Sequence, residues 1–210
     1  MKKNIKQKAD MSIEKKEFDK RFSDLFVEAF KFTEEEFDFF ISHFRRKELK
    51  KKQFYSRAGD ISKDKAYINK GCTRTFVIDE NGYERILFFS FEDWWLCDWA
   101  SFNSGKPGKE YVEAIEDCEL LVISKSDWEK MEKEIPKMLQ WYTVKVPKSA
   151  GAMANRLIES KICSPEENYL NLLQKQPQIF QRVPLRFIAA YLNIQPESLS
   201  RMRRRLAKKK

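Results

Sequence analysis

The sequence predicts an α+β chain. Helices come first, then a small antiparallel roll or sandwich, then one long helix and finally two short ones. Three observations carry this. Apolar residues recur at helical spacing on both sides of the middle third. Between Gly59 and Ser124, turn signals alternate with short β-prone runs. The stretch 184–206 combines a helical apolar register with dense positive charge.

The elements follow in order. Residues 1–20 are polar and charged, and fraying is expected at their start. Phe22, Leu25, Phe26, Ala29 and Phe30 fall on one helical face. Thr33 followed by Glu34, Glu35 and Glu36 is a capping box, and Phe37, Phe40, Ile41 and Phe44 continue it as an apolar stripe. The lysines and arginines of 45–52 are expected to end that helix. Gly59-Asp60, Lys70-Gly71, Asn81-Gly82 and Gly105-Lys106-Pro107-Gly108 then punctuate β-prone runs at 66–69, 73–78, 83–91, 111–115 and 120–124. Asp79-Glu80-Asn81-Gly82 marks a hairpin. Helical character returns at Ser126 with Trp128 and Met131. From 135 to 160 a long pattern carries Met138, Leu139, Tyr142, Val146, Met153 and Leu157, and Pro147 and Gly151 are expected to kink or split it. Ser164-Pro165-Glu166-Glu167 opens a further helix with Tyr169, Leu170, Leu172 and Leu173, closed by Gln176-Pro177.

The last segment reads as two short helices around a tight break. Leu185, Ile188, Ala189 and Leu192 form one stripe, and the small Ala189 and Ala190 admit close approach of a second helix. Asn193 tolerates the left-handed backbone such a break needs. Gln195 falls near the cap, and Pro196 takes the first helical position, where its missing N–H costs nothing. Leu199, Met202 and Leu206 must face inward, which leaves Glu197, Arg201, Arg204 and Arg205 on the open face. Arginine can bridge two acceptors on guanine or clamp a phosphate, and glutamate can accept from cytosine N4. Residues 184–210 hold five arginines and three lysines against one glutamate, a balance of +7 within the chain's formal +9. A solvated cationic tail is the plain alternative, but the apolar register beneath the arginines favours a helix laid into a DNA groove.

The remaining chemistry is sparse. No apolar run is long enough for a membrane span, and the lysine-rich start lacks the core of a signal peptide, so a cytoplasmic location is expected. Cys72, Cys97, Cys118 and Cys163 are far apart with no Cys-x-x-Cys pair, so no metal and no cofactor is signalled. His43 is the only histidine of 210 residues, which argues against a cupin-like metalloenzyme and against a Ser–His hydrolase. No enzyme activity is expected. A second reading is a small-ligand-binding β module with an incidental basic tail.

Several stretches resemble the cyclic-AMP receptor protein / fumarate–nitrate regulator (Crp/Fnr) family of bacterial transcription factors. They are Gly59-Asp60, Ile68-Asn69-Lys70-Gly71, Asp117-Cys118-Glu119-Leu120-Leu121-Val122-Ile123-Ser124, and Pro196-Glu197-Ser198-Leu199-Ser200-Arg201. The resemblance implies an antiparallel β-roll (a double-stranded β-helix of the cyclic-nucleotide-binding kind) with N-terminal helices over 1–134. It further implies a connecting and dimerisation helix over 135–160 and a helix-turn-helix over 161–210, too short for a full wing. It assigns base reading to Glu197 and Arg201, within a DNA-facing set of Gln195, Glu197, Ser198, Ser200, Arg201, Arg204, Arg205 and Lys208. It implies a homodimer on a near-palindromic duplex site, paired through Met138, Leu139, Tyr142, Val146, Met153 and Leu157; packing of this stripe on the chain's own roll is the alternative, and the seam is favoured because a small roll cannot easily cover so long a helix. RNA polymerase and an unknown small effector are candidate partners.

The departures from the family are informative. The arginine that commonly precedes the base-reading glutamate is Pro196 here. The family's Arg-Ser phosphate pair falls on Gly108 and Lys109, and its Gly-Glu-Leu segment on Cys97-Asp98-Trp99. Cyclic AMP is therefore not expected as the ligand. Asp98, Trp99, Lys106 and Lys109 remain the candidate effector pocket.

Overall fold

The phenylalanine pattern at the start of the chain becomes a helical cap over the roll. The computed structural model describes residues 20–207. Helix α1 (Lys20–Asp24) runs into a π-helical turn (Leu25–Ala29), and α2 (Glu34–Ile41) follows. Thr33 caps α2 as expected: its hydroxyl accepts from the Glu36 amide at 3.2 Å, and the Glu36 carboxylate accepts from the Thr33 amide at 2.7 Å. Phe22, Phe26, Phe30, Phe32, Phe37, Phe40 and Phe44 are buried in one cluster with Tyr67, Trp128 and Trp141.

The roll comprises β1 (Arg45–Leu49), β2 (Phe54–Ser56), β3 (Asp64–Lys70), β4 (Thr73–Ile78), β5 (Glu84–Ser90), β6 (Trp95–Leu96), β7 (Tyr111–Ala114) and β8 (Cys118–Ser124). They form two four-stranded sheets, β1-β8-β3-β6 and β2-β7-β4-β5. The basic run expected to end a helix is instead β1, paired antiparallel to β8 from Arg45↔Val122 to Leu49↔Cys118. As an edge strand it buries only Leu49, so four charged residues in succession carry no penalty, and the run shows no alternation to read. Period-2 alternation is clear in β8. Leu120 and Val122 join Leu49, Ala66, Ile68, Leu96 and Ala114 in one cluster, while Leu121 and Ile123 join the phenylalanine cluster.

Two turns need their particular residues. Gly71, between β3 and β4, has φ +113°, and a Cβ there would lie 2.6 Å from the Cys118 sulfur and 2.8 Å from the Asp117 carbonyl oxygen. The hairpin foreseen at 79–82 joins β4 to β5, with the Asp79 carboxylate accepting from the amides of Asn81 (3.0 Å) and Tyr83 (2.9 Å).

Helix α3 (Trp99–Ser104) interrupts the strands. After β8 come α4 (Lys125–Glu134), a 3₁₀ turn (Pro136–Met138) and α5 (Leu139–Ile162). Pro147 and Gly151 do not split α5, which runs unbroken for 24 residues. The carbonyl that Pro147 leaves without a helical donor belongs to exposed Thr143, where water can satisfy it. Helices α6 (Pro165–Lys175), α7 (Gln178–Arg182), α8 (Leu185–Tyr191) and α9 (Pro196–Ala207) complete the described chain.

The terminal helices pack on the second sheet. Phe76, Ile86, Phe89, Phe91 and Ile115 share a buried cluster with Tyr169, Leu172, Ile179, Val183, Ile188, Ala189, Leu192 and Leu199. Arg182 bonds both oxygens of Glu92 at 2.7 and 2.8 Å and also reaches Glu116, which ties α7 to the roll. Burial alone would raise the Glu92 pKa. The Arg182 bonds and the Gly71 amide outweigh it and hold Glu92 at about 2. No helix among the described residues is long and apolar enough to cross a membrane.

Candidate nucleic-acid interface and effector region

Helices α8 and α9 form a helix-turn-helix whose geometry follows the sequence closely. Asn193 has φ 56°, the left-handed conformation at the break. The Gln195 carbonyl accepts from the Leu199 amide at 3.1 Å, so Gln195 stands at the cap and Pro196 opens α9. Ile188, Ala189 and Leu199 are fully buried between the two helices and the roll, and Met202 and Leu206 pack against them. Helix burial leaves Gln195, Glu197, Ser200, Arg201, Arg203 and Arg204 exposed, with Ser198 half-buried. Arg201 donates to the Ser198 hydroxyl at 3.1 Å. Arg205 forms an ion pair with Glu166 on α6, a partner no local pattern could show. Lys208, together with Lys209 and Lys210, lies outside the described residues. The open face of α9 thus presents one carboxylate, two hydroxyls and several guanidinium groups on a helix anchored from below.

The dimer-helix residues do not form one set. Leu139, Val146, Met153 and Leu157 are exposed on α5, along with Val144, Ile158 and Ile162. Met138 is fully buried in the chain's own phenylalanine cluster and sits in the 3₁₀ turn before α5. Tyr142 packs on the same cluster, and its hydroxyl donates to Glu132 and accepts from the Trp128 indole at 3.0 Å. The expectation that Met138 belongs to a seam is corrected by its complete burial, and half-buried Tyr142 packs on the same core while Leu139 beside it stays exposed. Helical spacing cannot separate an apolar stripe that meets the chain's own roll from one left open.

The four effector-pocket residues are divided between a helix cap, a packed ring and the surface. Asp98 caps α3, accepting from Ser101 N at 2.9 Å, and its other oxygen accepts from Lys109 N at 3.3 Å. Trp99 turns toward Trp141, ring centroids 5.5 Å apart. Lys106 and Lys109 are exposed. A Cβ at Gly108 would lie 2.3 Å from the Asp98 carboxylate, so any larger residue there requires Asp98 to move. Burial, and then the Asp98 charge, raise the Glu110 pKa to about 7. At the position of the family's phosphate-binding arginine stands Gly108, flanked by the carboxylates of Asp98 and Glu110, and the neighbouring cations, Lys106 and Lys109, are exposed. The residues present do not fit a cyclic nucleotide.

Lys65 is the group the sequence reading missed here. It shares a face of β3 with Tyr67, toward the helices, and is completely buried with no hydrogen-bond partner for its Nζ. Nζ lies 3.7 Å from the Trp128 ring centroid, 4.5 Å from Trp99, 4.6 Å from Phe102, 5.2 Å from Trp141 and 5.5 Å from Tyr142. Burial pushes its pKa down to about 8. The ring faces replace water around the ammonium. Among the described residues no group of three or more His, Cys, Asp and Glu is placed to hold a metal.

Comparison with known proteins places the fold. Residues 46–134 match the family model of the cyclic nucleotide-binding domain. No curated protein matches the sequence. Among solved structures, the chain is similar to the c-di-GMP responsive global regulator CLP of Xanthomonas campestris. Identity is 16%, coverage 84% of this chain and 93% of that one, and the TM-score 0.69. It is also similar to FixK2 of Bradyrhizobium japonicum (14% identity, 79% and 85% covered, TM-score 0.69). The catabolite activator protein of Thermus thermophilus shows 20% identity, with 84% of each chain covered and a TM-score of 0.53. Residues 46–134 are thus similar to a cyclic nucleotide-binding domain, and the overall fold is like that of solved regulators of the Crp/Fnr family. The domain name describes the roll; the phosphate-binding chemistry it implies is not in these residues.

Proposed function

We propose that the chain is a sequence-specific DNA-binding transcriptional regulator of the Crp/Fnr type, acting as a homodimer on a near-palindromic duplex and not controlled by cyclic AMP. The observation that carries this is the sidedness of α9: Leu199 is fully buried beneath it while Glu197, Ser200, Arg201 and Arg204 stand exposed above. Glu197 and Arg201 are four apart, one helical turn, and are the base-reading pair. Arg203 and Arg204, with Lys208 beyond the described residues, serve as phosphate grip. Arg205 reaches phosphate only by leaving Glu166. Pairing through α5 is supported by Leu139, Val146 and Met153, seven residues apart and exposed, with Leu157 one turn further. Two recognition helices related by such a seam would meet successive turns of the major groove.

The test is selection of binding sites from random duplex DNA by the full chain, repeated with Arg201→Ala and Arg204→Ala. The wild type is expected to yield a two-fold symmetric consensus. Arg201→Ala flattens one position of each half-site at a cost of about 1–3 kcal/mol, and Arg204→Ala weakens all sequences alike and lowers the salt slope by about one. Equal loss on every sequence from both variants overturns the assigned roles. Absence of any DNA retardation at low salt overturns the function.

A further inference from the structure

A second cavity lies away from the region where an effector was expected. It occupies about 580 Å³ between α5, α6, strand β5 and the end of α8. That is the size range of small-molecule sites. Arg156 of α5 projects into it. One terminal nitrogen, Nη2, donates to the carbonyl of Ile86 on β5 at 3.1 Å and to that of Tyr191 on α8 at 3.2 Å. The guanidinium lies flat on the Tyr191 ring, 3.3 Å from its centroid. Carbonyl dipoles and a ring face are its only partners among the described residues. The nearest carboxylate, Glu159, is already committed to Lys175. Neither Nε nor Nη1 carries a hydrogen bond among the described residues, and Arg156 lines the cavity. Loss of water pushes the Arg156 pKa down to about 10, with Glu159 offsetting only part.

A guanidinium drawn out of water without a counter-ion is an unfavourable arrangement unless something else meets its charge. The lining charges are Arg156, Lys175 and Glu159, a net +1. The amide side chains of Asn155, Asn168, Asn171 and Asn193 also line the wall, with Phe88, Phe89 and Tyr191 opposite. This wall suits a molecule with an anionic head and a flat apolar or aromatic body. We propose that this cavity is a binding site for a small oxyanion-bearing ligand (phosphate or carboxylate), anchored by the unpaired Nη1 of Arg156. Nη1 carries two N–H donors on a fixed positive charge, and a charge-assisted bond from it is what an oxyanion accepts. Because the same guanidinium already holds β5 and the end of α8, an occupied site fixes the helix-turn-helix against the roll. The proposal does not depend on the DNA-binding reading, and its test requires no DNA.

The probes are phenyl phosphate, benzoate and inorganic phosphate, titrated calorimetrically into the full chain at constant ionic strength set with chloride. Phenyl phosphate is expected to bind at one site per chain. Arg156→Met should weaken it at least tenfold, whereas Arg156→Lys, which keeps the charge and loses the planar guanidinium, should weaken it less. Asn171→Asp leaves Arg156 and its two carbonyl partners in place and adds a negative charge to the wall. It should weaken phenyl phosphate by a similar factor, which keeps the test valid if Arg156→Met fails to fold. Arg201→Ala should bind as the wild type. Tighter binding of benzoate than of phenyl phosphate identifies the head group as carboxylate, and the reverse as phosphate. Inorganic phosphate, lacking the ring, should bind more weakly than phenyl phosphate; equal affinity removes the apolar part of the proposal. Binding that survives Asn171→Asp but fails in Arg201→Ala puts the anion on the DNA-facing helix and overturns the site. So does the absence of saturable binding of all three probes at millimolar concentration.

Discussion

Replacing Lys65 by methionine tests the ring cage directly, because methionine keeps the length of the side chain and removes its charge. Lys65 is fully buried, and its pKa falls from the ordinary 10.5 to about 8, chiefly through burial. Below pH 8 the group is charged in both folded and unfolded chains, and the folded state bears the whole cost of burying it. Between pH 8 and 10.5 the unfolded chain still holds a proton that the folded chain has released, so stability from this group rises with pH. The gap corresponds to about 3 kcal/mol. Urea unfolding, followed by the fluorescence of the tryptophans around Nζ, measures it at a series of pH values. Other groups titrate in the same window, so the informative quantity is the variant's stability minus the wild type's. That difference should favour Lys65→Met most below pH 8 and shrink by about 3 kcal/mol by pH 10.5. A difference that does not change across this window refutes the reasoning. It would mean that the five ring faces hold the ammonium as well as water does, and that the proton affinity is ordinary.

Two further outcomes concern the fold. Arg182→Met should remove acid sensitivity as well as stability. Glu92 titrates at about 2 instead of 4.5, so its pairing is present above pH 4.5 and is lost as pH falls toward 2. Stability curves of wild type and variant should therefore converge in acid, and parallel curves would show that Arg182 does not act through Glu92. Gly71→Ala should cost about 3 kcal/mol, read as a lowered thermal midpoint, because its Cβ would meet the Asp117 carbonyl and a buried sulfur at a φ that alanine resists. A neutral result there would show that the β3–β4 turn relaxes freely.

Much of the candidate interface was legible in local pattern. The break at Asn193, the cap at Gln195, the start at Pro196 and the inward Leu199 all depend on residues within a turn or two of one another, where backbone preference and helical period act. The hairpin at Asp79–Gly82 and the Thr33 cap were legible for the same reason. Strand β1 was not, because an edge strand with one buried residue in five has no alternation to display.

The sequence by itself determined the order of helical start, β-roll, long helix and terminal helix pair, the open basic face of the last helix, and the residues Gly108 and Lys109 at the positions where the family it resembles carries its phosphate pair. Each of these rests on residue type and short spacing. Only the tertiary structure decided where long-range partners fall. It moved Met138 from the expected seam into the core, set half-buried Tyr142 against it, and committed Arg205 to Glu166. It also enclosed Lys65 among rings from three separate helices and set Arg156 between β5 and α8 with no ion pair among the described residues. Charge and burial at these positions depend on groups that are distant in the chain, and so they emerge only when the sheets and helices have packed.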